Sequence, residues 1–130
     1  ILTIEALGAL WQREGRKGSS HYGVSETSIG QYVHENDVAW TNGNWEANCR
    51  AVTIETSNSG GAPEWPVSDT TFQTLVTLVA DIARRNGLGK LVKGKNLTWH
   101  SMYAVTACPG SYLSGKLQEL VDKSNTINGF

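Results

Sequence analysis

The clearest helical pattern in the chain lies in SDTTFQTLVTLVADIARRNG, residues 68–87. Apolar residues recur there at the three- and four-residue spacing of one helix face, namely Phe72, Leu75, Val76, Val79, Ile82 and Ala83. Ser68 is a favourable N-terminal cap, and Gly87 suits the position after the last turn. The sequence therefore predicts a helix over about residues 69–86.

A strand is predicted just upstream, at AVTIET, residues 51–56. β-Branched residues dominate it, and alternation places Val52 and Ile54 on the core face and Glu55 on the other face. The Gly- and Pro-containing stretch 57–66 predicts a loop between this strand and the helix.

The other predicted elements interleave strands and helices. In chain order they are a helix at about 3–14 ended by Gly15 and Gly18, hairpin strands at 21–24 and 29–34, a loop at 35–49, a strand at 95–100, and a helix at 111–123 with Tyr112, Leu113, Leu117, Leu120 and Val121 facing inward. This order predicts a single α/β domain over residues 1–123, with 124–130 as a tail or linker.

Composition bounds the function. The chain has 130 residues, 39% of them hydrophobic, with 11 basic and 12 acidic side chains, which is typical of one soluble domain. The net charge of -1 argues against binding to nucleic acid or to an anionic membrane surface, because that binding needs a strongly positive field. No apolar run reaches the roughly 20 residues of a membrane span, and no signal peptide opens the chain. Because residue 1 is Ile, we expect a piece of a longer protein.

His100 and Cys108 lie close together in WHSMYAVTACPG, residues 99–110. Imidazole and thiolate are the ligands that zinc prefers, and a catalytic zinc keeps three protein ligands and one open position. Glu55 is an acid in an apolar strand and could accept a proton from water if its face forms the floor of a cleft. The alternatives are a buried ring, a buried thiol and a solvated strand face, and spacing by itself favours these structural interpretations, because one His and one Cys do not make a motif.

Two further groups could bind ligands. Trp40, Trp45 and Trp65 with Asn42, Asn44 and Asn48 suit sugars and peptides, or they cover the sheet. Arg84, Arg85, Lys90, Lys93 and Lys95 complement a helix C-terminus, or they attract an anionic polymer such as an acidic cell wall.

Taken together, several segments resemble the zinc-dependent N-acetylmuramoyl-L-alanine amidases, the family of phage lysins and peptidoglycan recognition proteins. The similar segments, in family order, are SSHYGV (19–24), AW with an Asn-rich loop (39–48), VTIE (52–55), the long helix, WH (99–100) and CPG (108–110). The resemblance implies a mixed central sheet flanked by helices. It also implies that His100 and Cys108 are two zinc ligands, that Glu55 assists the attacking water, and that His21 lines the site.

Two of the departures from the family pattern bear directly on the chemistry of the site. The family's first zinc ligand is a histidine on a strand before the first helix, and no residue of this sequence matches it. We therefore expect this chain to lack that strand, to bind zinc weakly and to have low activity. Thr106 stands where many members have a lysine, so its capacity to stabilise charge in the transition state is reduced.

The implied function is hydrolysis of the amide between N-acetylmuramic acid and L-alanine in bacterial peptidoglycan by a zinc-activated water. Trp40, Asn42 and Trp45 would hold the substrate. The protein would be a phage or prophage endolysin, made in the host cytoplasm and acting at the cell wall. Two alternatives remain: a peptidoglycan-binding module without catalysis, and a thiol hydrolase built on Cys108 and His100.

Overall fold

The strands lie in the first half of the chain, and the elements that follow them are helical. The structure, a computed structural model, describes residues 3–12, 18–41 and 43–130. Its elements are α1 (Ile4–Trp11), β1 (Tyr22–Ser25), β2 (Ser28–Gln31), α2 (Trp45–Arg50), β3 (Ile54–Thr56), α3 (Asp69–Arg85), a 3-10 turn (His100–Met102), α4 (Ser111–Ser114) and α5 (Leu117–Ile127). The predicted end of the first helix at residues 13–14 and its stop at Gly15 lie outside the described residues. Within the described ranges, no helix is long and apolar enough to cross a membrane.

Three strands form a mixed sheet in the order β2-β1-β3. Strand β1 is antiparallel to β2 and parallel to β3, with Gly23 opposite Glu55 in the parallel pair. All four residues of β1 are buried because it is the central strand. The predicted α/β class with a mixed sheet flanked by helices is therefore confirmed.

Helix α3 provides the main apolar surface against the sheet. Ser68 caps it, its side-chain oxygen accepting from the Thr71 N–H at 3.2 Å, and Gly87 follows its end with φ +64°. The predicted apolar face is buried and packs against β1 and α5. Val52 and Ile54 also pack against this core, as the alternation of the strand predicts.

Two predictions of local structure, the loop at 35–49 and the strand at 95–100, were wrong. The predicted loop at 35–49 contains α2, which Asn44 caps by accepting from the Ala47 N–H at 3.1 Å. This helix has only six residues, which is too short for an apolar repeat to be recognised. The predicted strand at 95–100 is a turn with one isolated bridge between Lys93 and Leu97, and His100 already begins the 3-10 turn.

The helix predicted at 111–123 is divided into α4 and α5 by a turn at Gly115 and Lys116, and it also ends later than predicted. Helix α5 continues to Ile127, and two of its polar residues beyond 123 are buried. The Ser124 hydroxyl donates to the Val76 carbonyl, and the Asn125 amide bonds both backbone groups of Leu91 at 2.8 and 3.0 Å. In the sequence, Ser124 and Asn125 resemble a solvent-exposed helix end because they are polar. Their hydrogen-bond partners, Val76 and Leu91, lie elsewhere in the fold. The division into a domain and a tail stays a prediction.

Candidate active site

Glu55 lies in the middle of β3, half-buried. Its strand neighbour Ile54 packs into the core, so alternation directs Glu55 to the opposite face of the sheet. This is the face that the sequence pattern predicts. The strand backbone fixes the position of this residue, and the exposed part of its side chain remains accessible to solvent.

Cys108 lies near Glu55 although the two residues are far apart in sequence. Burial, together with the negative charge of Glu55, raises the pKa of the Cys108 thiol to about 11. The structure therefore brings two of the predicted site residues into one electrostatic neighbourhood. A thiol with this pKa is protonated at neutral pH, which disfavours Cys108 as a nucleophile by itself.

The turn around Cys108 is built by its neighbours. The Cys108 N–H donates to the Thr106 hydroxyl oxygen at 3.2 Å, so this oxygen already accepts one hydrogen bond. Gly110 has φ +90°, and a Cβ on it would lie 2.8 Å from the Glu64 carbonyl oxygen and 3.0 Å from Trp65 Cβ. Only glycine fits this position, which explains the CPG sequence in physical terms.

His100 opens the 3-10 turn and is half-buried. Its carbonyl oxygen accepts from the N–H groups of Tyr103 and Ala104 at 2.9 and 3.2 Å. The preceding Trp99 packs against the hydrophobic core, so the turn has a fixed base. This arrangement holds the His100 backbone at the edge of the core with its side chain partly accessible.

A second loop lies against this turn and carries exposed aromatic rings. The Asn44 amide donates to the Tyr103 carbonyl at 3.5 Å, and a Cβ on Gly43 would lie 3.7 Å from Ala104 Cβ. Trp40 and Trp45 on this segment are 56% and 64% exposed. Asn42, the third predicted substrate contact here, lies outside the described residues. The two tryptophans are thus available to a ligand rather than covering the sheet.

His21 occupies a different kind of place from the one predicted. It is 1% exposed, its Nδ1 accepts from the Thr53 N–H at 3.1 Å, and its Nε2 lies 2.7 Å from the Asp37 carbonyl oxygen. Since Nδ1 is an acceptor, Nε2 carries the proton and donates to Asp37. A contact of this ring with substrate would require both bonds to break. His21 therefore joins β1 to the neighbouring segments instead of lining the site.

Sequence reasoning missed the polar residues that hold the loops together. Thr41 donates to the Ser19 carbonyl and lies 2.8 Å from the Thr53 hydroxyl, which in turn contacts His21. Asn44 caps α2 and also reaches the His100 turn. The one available signal was Asn44 directly before WEAN, a capping residue ahead of a helical turn.

The family of the chain follows from a comparison with known proteins. A family model described as N-acetylmuramoyl-L-alanine amidase matches residues 4–111. The chain belongs to this family. The matched range spans the sheet, α3, the His100 turn and Cys108, and family membership supports amidase action on peptidoglycan as the class of activity. No curated protein matches the chain.

The family is generally zinc-dependent, and a catalytic zinc is held by three protein ligands. His100 and Cys108 are of the nitrogen and sulfur types that zinc prefers. Within residues 3–12, 18–41 and 43–130, however, no three His, Cys, Asp or Glu side chains form a group that could hold a metal ion. The donor types fit zinc, but the described part of the chain does not supply a complete set of three.

Proposed function

We propose that this amidase-family chain hydrolyses the amide bond between N-acetylmuramic acid and L-alanine. The observation that carries the proposal is the placement of Glu55, half-buried on the face of β3 away from the core, where its negative charge acts on the Cys108 thiol. The adjoining loop adds exposed rings beside the His100 turn. A carboxylate, two zinc-type donors and an aromatic surface are together suited to cleaving an amide in a glycopeptide.

The chain's residues divide the chemistry. His100 and Cys108 would hold zinc, which when bound lowers the pKa of a coordinated water and polarises a carbonyl. Glu55 accepts the proton of the attacking water and passes it to the leaving amine of L-alanine. Thr106 has a hydroxyl that can donate one hydrogen bond but carries no charge, so it offers less stabilisation of an oxyanion than a lysine would.

Substrate binding falls to the loop beside the turn. Trp40 and Trp45 present exposed rings, which suit the apolar faces of sugars, and Asn42 adds an amide for hydroxyl or peptide groups. The resemblance to phage lysins supports an endolysin of a phage or prophage, made in the host cytoplasm and acting at the cell wall. Peptidoglycan, glycan and stem peptide together, is the proposed partner.

Replacing Glu55 tests the enzyme directly. Glu55→Gln removes the proton acceptor at constant size, so the release of free L-alanine amines from purified peptidoglycan should fall by about 100-fold or more. Sedimentation with peptidoglycan should stay nearly unchanged. Glu5→Gln, which neutralises an exposed carboxylate on α1, is the matched control and should keep full activity. An active Glu55→Gln variant would remove Glu55 from the mechanism.

The alternatives give different results in the same assay. A binding module sediments with peptidoglycan while the unsubstituted chain, supplied with zinc, releases no L-alanine amine. A thiol hydrolase survives EDTA and is inactivated by an alkylating agent, whereas the zinc enzyme loses activity in EDTA and recovers it when zinc is added back. Zinc content of the purified chain gives the metal stoichiometry independently.

A further inference from the structure

Charge is unevenly distributed along the chain. None of the 12 Asp and Glu residues lies between residues 82 and 118, the segment that carries His100 and Cys108. Six of the 11 Lys and Arg residues lie there, namely Arg84, Arg85, Lys90, Lys93, Lys95 and Lys116. The small net charge of the whole chain therefore conceals a strongly positive segment around the candidate site.

Most cations of the described residues are neutralised locally. Arg50, Arg84, Arg85, Lys116 and Lys123 each lie 2.6 to 3.5 Å from a carboxylate oxygen. The other described cations are Lys90, Lys93 and Lys95, and none of them has such a partner among the described residues. All three are exposed. Among the described residues, the positive charge without a carboxylate partner thus lies in one short loop, which we call the lysine loop (residues 88–97).

The lysine loop is held rigidly. Leu91 is 3% exposed, and Asn125 of α5 bonds both its N–H and its carbonyl. Within the loop, the Asn96 side chain accepts from the Val92 N–H at 2.6 Å and donates to the Lys90 carbonyl at 3.2 Å. A loop fixed in this way presents its charges without the entropy cost of ordering the backbone on binding.

The lysine loop also adjoins the candidate site. The Lys93 ammonium lies 5.7 Å from the centre of the Trp99 ring, and Trp99 directly precedes His100. A polymer bound along the loop would therefore be led toward the His100 turn. Trp99 is half-buried beneath Lys93, so it does not offer the open face on which nucleic-acid bases stack.

We propose that the lysine loop binds an anionic polymer of repeating phosphodiesters attached to the cell wall, and so holds the enzyme beside its substrate. This inference rests on the proposed function for the location of the polymer. Lysine ammonium groups act as point charges toward phosphate, whereas planar carboxylates are recognised best by the two-pronged arginine side chain, and both arginines nearest the loop are already paired. Three neighbouring point charges therefore suit a polymer that carries a negative charge on every repeat unit, as a phosphodiester polymer does.

The test measures sedimentation with purified walls, either intact or stripped of phosphodiester polymer by acid extraction. At about 50 mM salt we expect about tenfold tighter binding to intact walls, and this preference should disappear at high salt because counterions screen the contact. The variant Lys90→Gln, Lys93→Gln, Lys95→Gln should lose the preference. The corresponding triple Arg variant should retain it.

A second triple variant separates a local site from overall charge. Arg50→Gln, Arg84→Gln, Lys123→Gln removes the same net charge from exposed, paired positions and should keep the preference for intact walls. Equal loss in the two Gln variants would overturn the proposal in favour of net charge. Melting temperatures establish that every variant is folded.

The other possible partners are outcomes of the same experiment. Equal binding of the unsubstituted chain to intact and stripped walls would overturn the proposal, since the stem peptides remain on both. Soluble poly(glycerol phosphate) should compete with walls, and duplex DNA competing better at equal phosphate concentration would indicate nucleic acid instead. Sedimentation requires no bond cleavage, so these results are independent of whether L-alanine amines are released.

Discussion

The helical layer of α3 and α5 and the loops that carry the candidate site are stabilised in different ways. In the helical layer, a continuous set of apolar side chains from both helices is at most 9% exposed. In the loops, hydrogen bonds from Thr, Asn and His side chains join segments distant in sequence. Global stability therefore comes mainly from the helices, whereas the geometry of the site depends on a few polar side chains.

An ion pair at the end of α3 joins this helix to the segment that follows β2. Arg85 lies 2.8 Å from Glu35, which also receives hydrogen bonds from Tyr22 and from the Asn86 amide. Burial by itself would raise the pKa of Glu35, but the hydrogen bonds from Asn86, Tyr22 and Arg85 outweigh it and lower the pKa to about 2. The connection therefore depends on an ionised Glu35.

The largest expected effect lies in the helical layer. Phe72 is 2% exposed, and the ammonium groups of Lys116 and Lys123 lie 5.0 and 5.8 Å from its ring centre. Phe72→Ala should lower the free energy of unfolding by about 3 to 5 kcal/mol, because it leaves a cavity. Urea denaturation measures the change. Fully exposed Val105→Ala is the control and should change it by less than about 0.5 kcal/mol. Similar losses in both variants would contradict a helical layer as the main source of stability.

His21 is the corresponding test of the loops. His21→Ala leaves the Thr53 N–H and the Asp37 carbonyl without their partner, so we expect a loss of about 2 to 3 kcal/mol in unfolding free energy. Exposed His34→Ala is the control, with a change below about 0.5 kcal/mol. Unfolding is followed by circular dichroism in urea. Unchanged stability combined with a raised KM would restore His21 as a substrate contact.

Glu35 gives a smaller effect with a distinctive pH dependence. Its folded-state pKa of about 2 lies below the ordinary 4.5, so its contribution is complete above pH 4.5 and is lost as the pH falls toward 2. Glu35→Gln should cost about 1 to 3 kcal/mol at pH 7 and should remove this part of the acid dependence.

The matched control for Glu35 is Glu46→Gln, whose carboxylate pairs with Arg50 at 2.6 Å in an exposed position. It should cost between about 0 and 1 kcal/mol and leave the acid dependence in place. The measurement is urea unfolding at pH 7, 4.5 and 3. If Glu35→Gln kept the acid dependence of the unsubstituted chain, this carboxylate would not be the group that joins α3 to the segment after β2.

The elements with regularly spaced apolar residues can be predicted from the amino-acid sequence. The α3 stripe, the alternation that turns Glu55 away from the core, the hairpin and the α/β class all follow from regular spacing, because burial of one face imposes a period of two or 3.6 residues. The segments around VTIE, WH and CPG were sufficient to predict the amidase family.

The contacts of individual polar and charged side chains become visible only in the folded structure. It assigned His21 to a buried hydrogen-bonded position, brought Cys108 under the electrostatic influence of Glu55, joined Asn44 to the His100 turn and placed no carboxylate of the described residues beside the lysine-loop ammonium groups. Each of these depends on which distant group meets a polar or charged side chain. Such meetings leave no period in the sequence, since a single hydrogen bond or ion pair constrains only the two residues that make it.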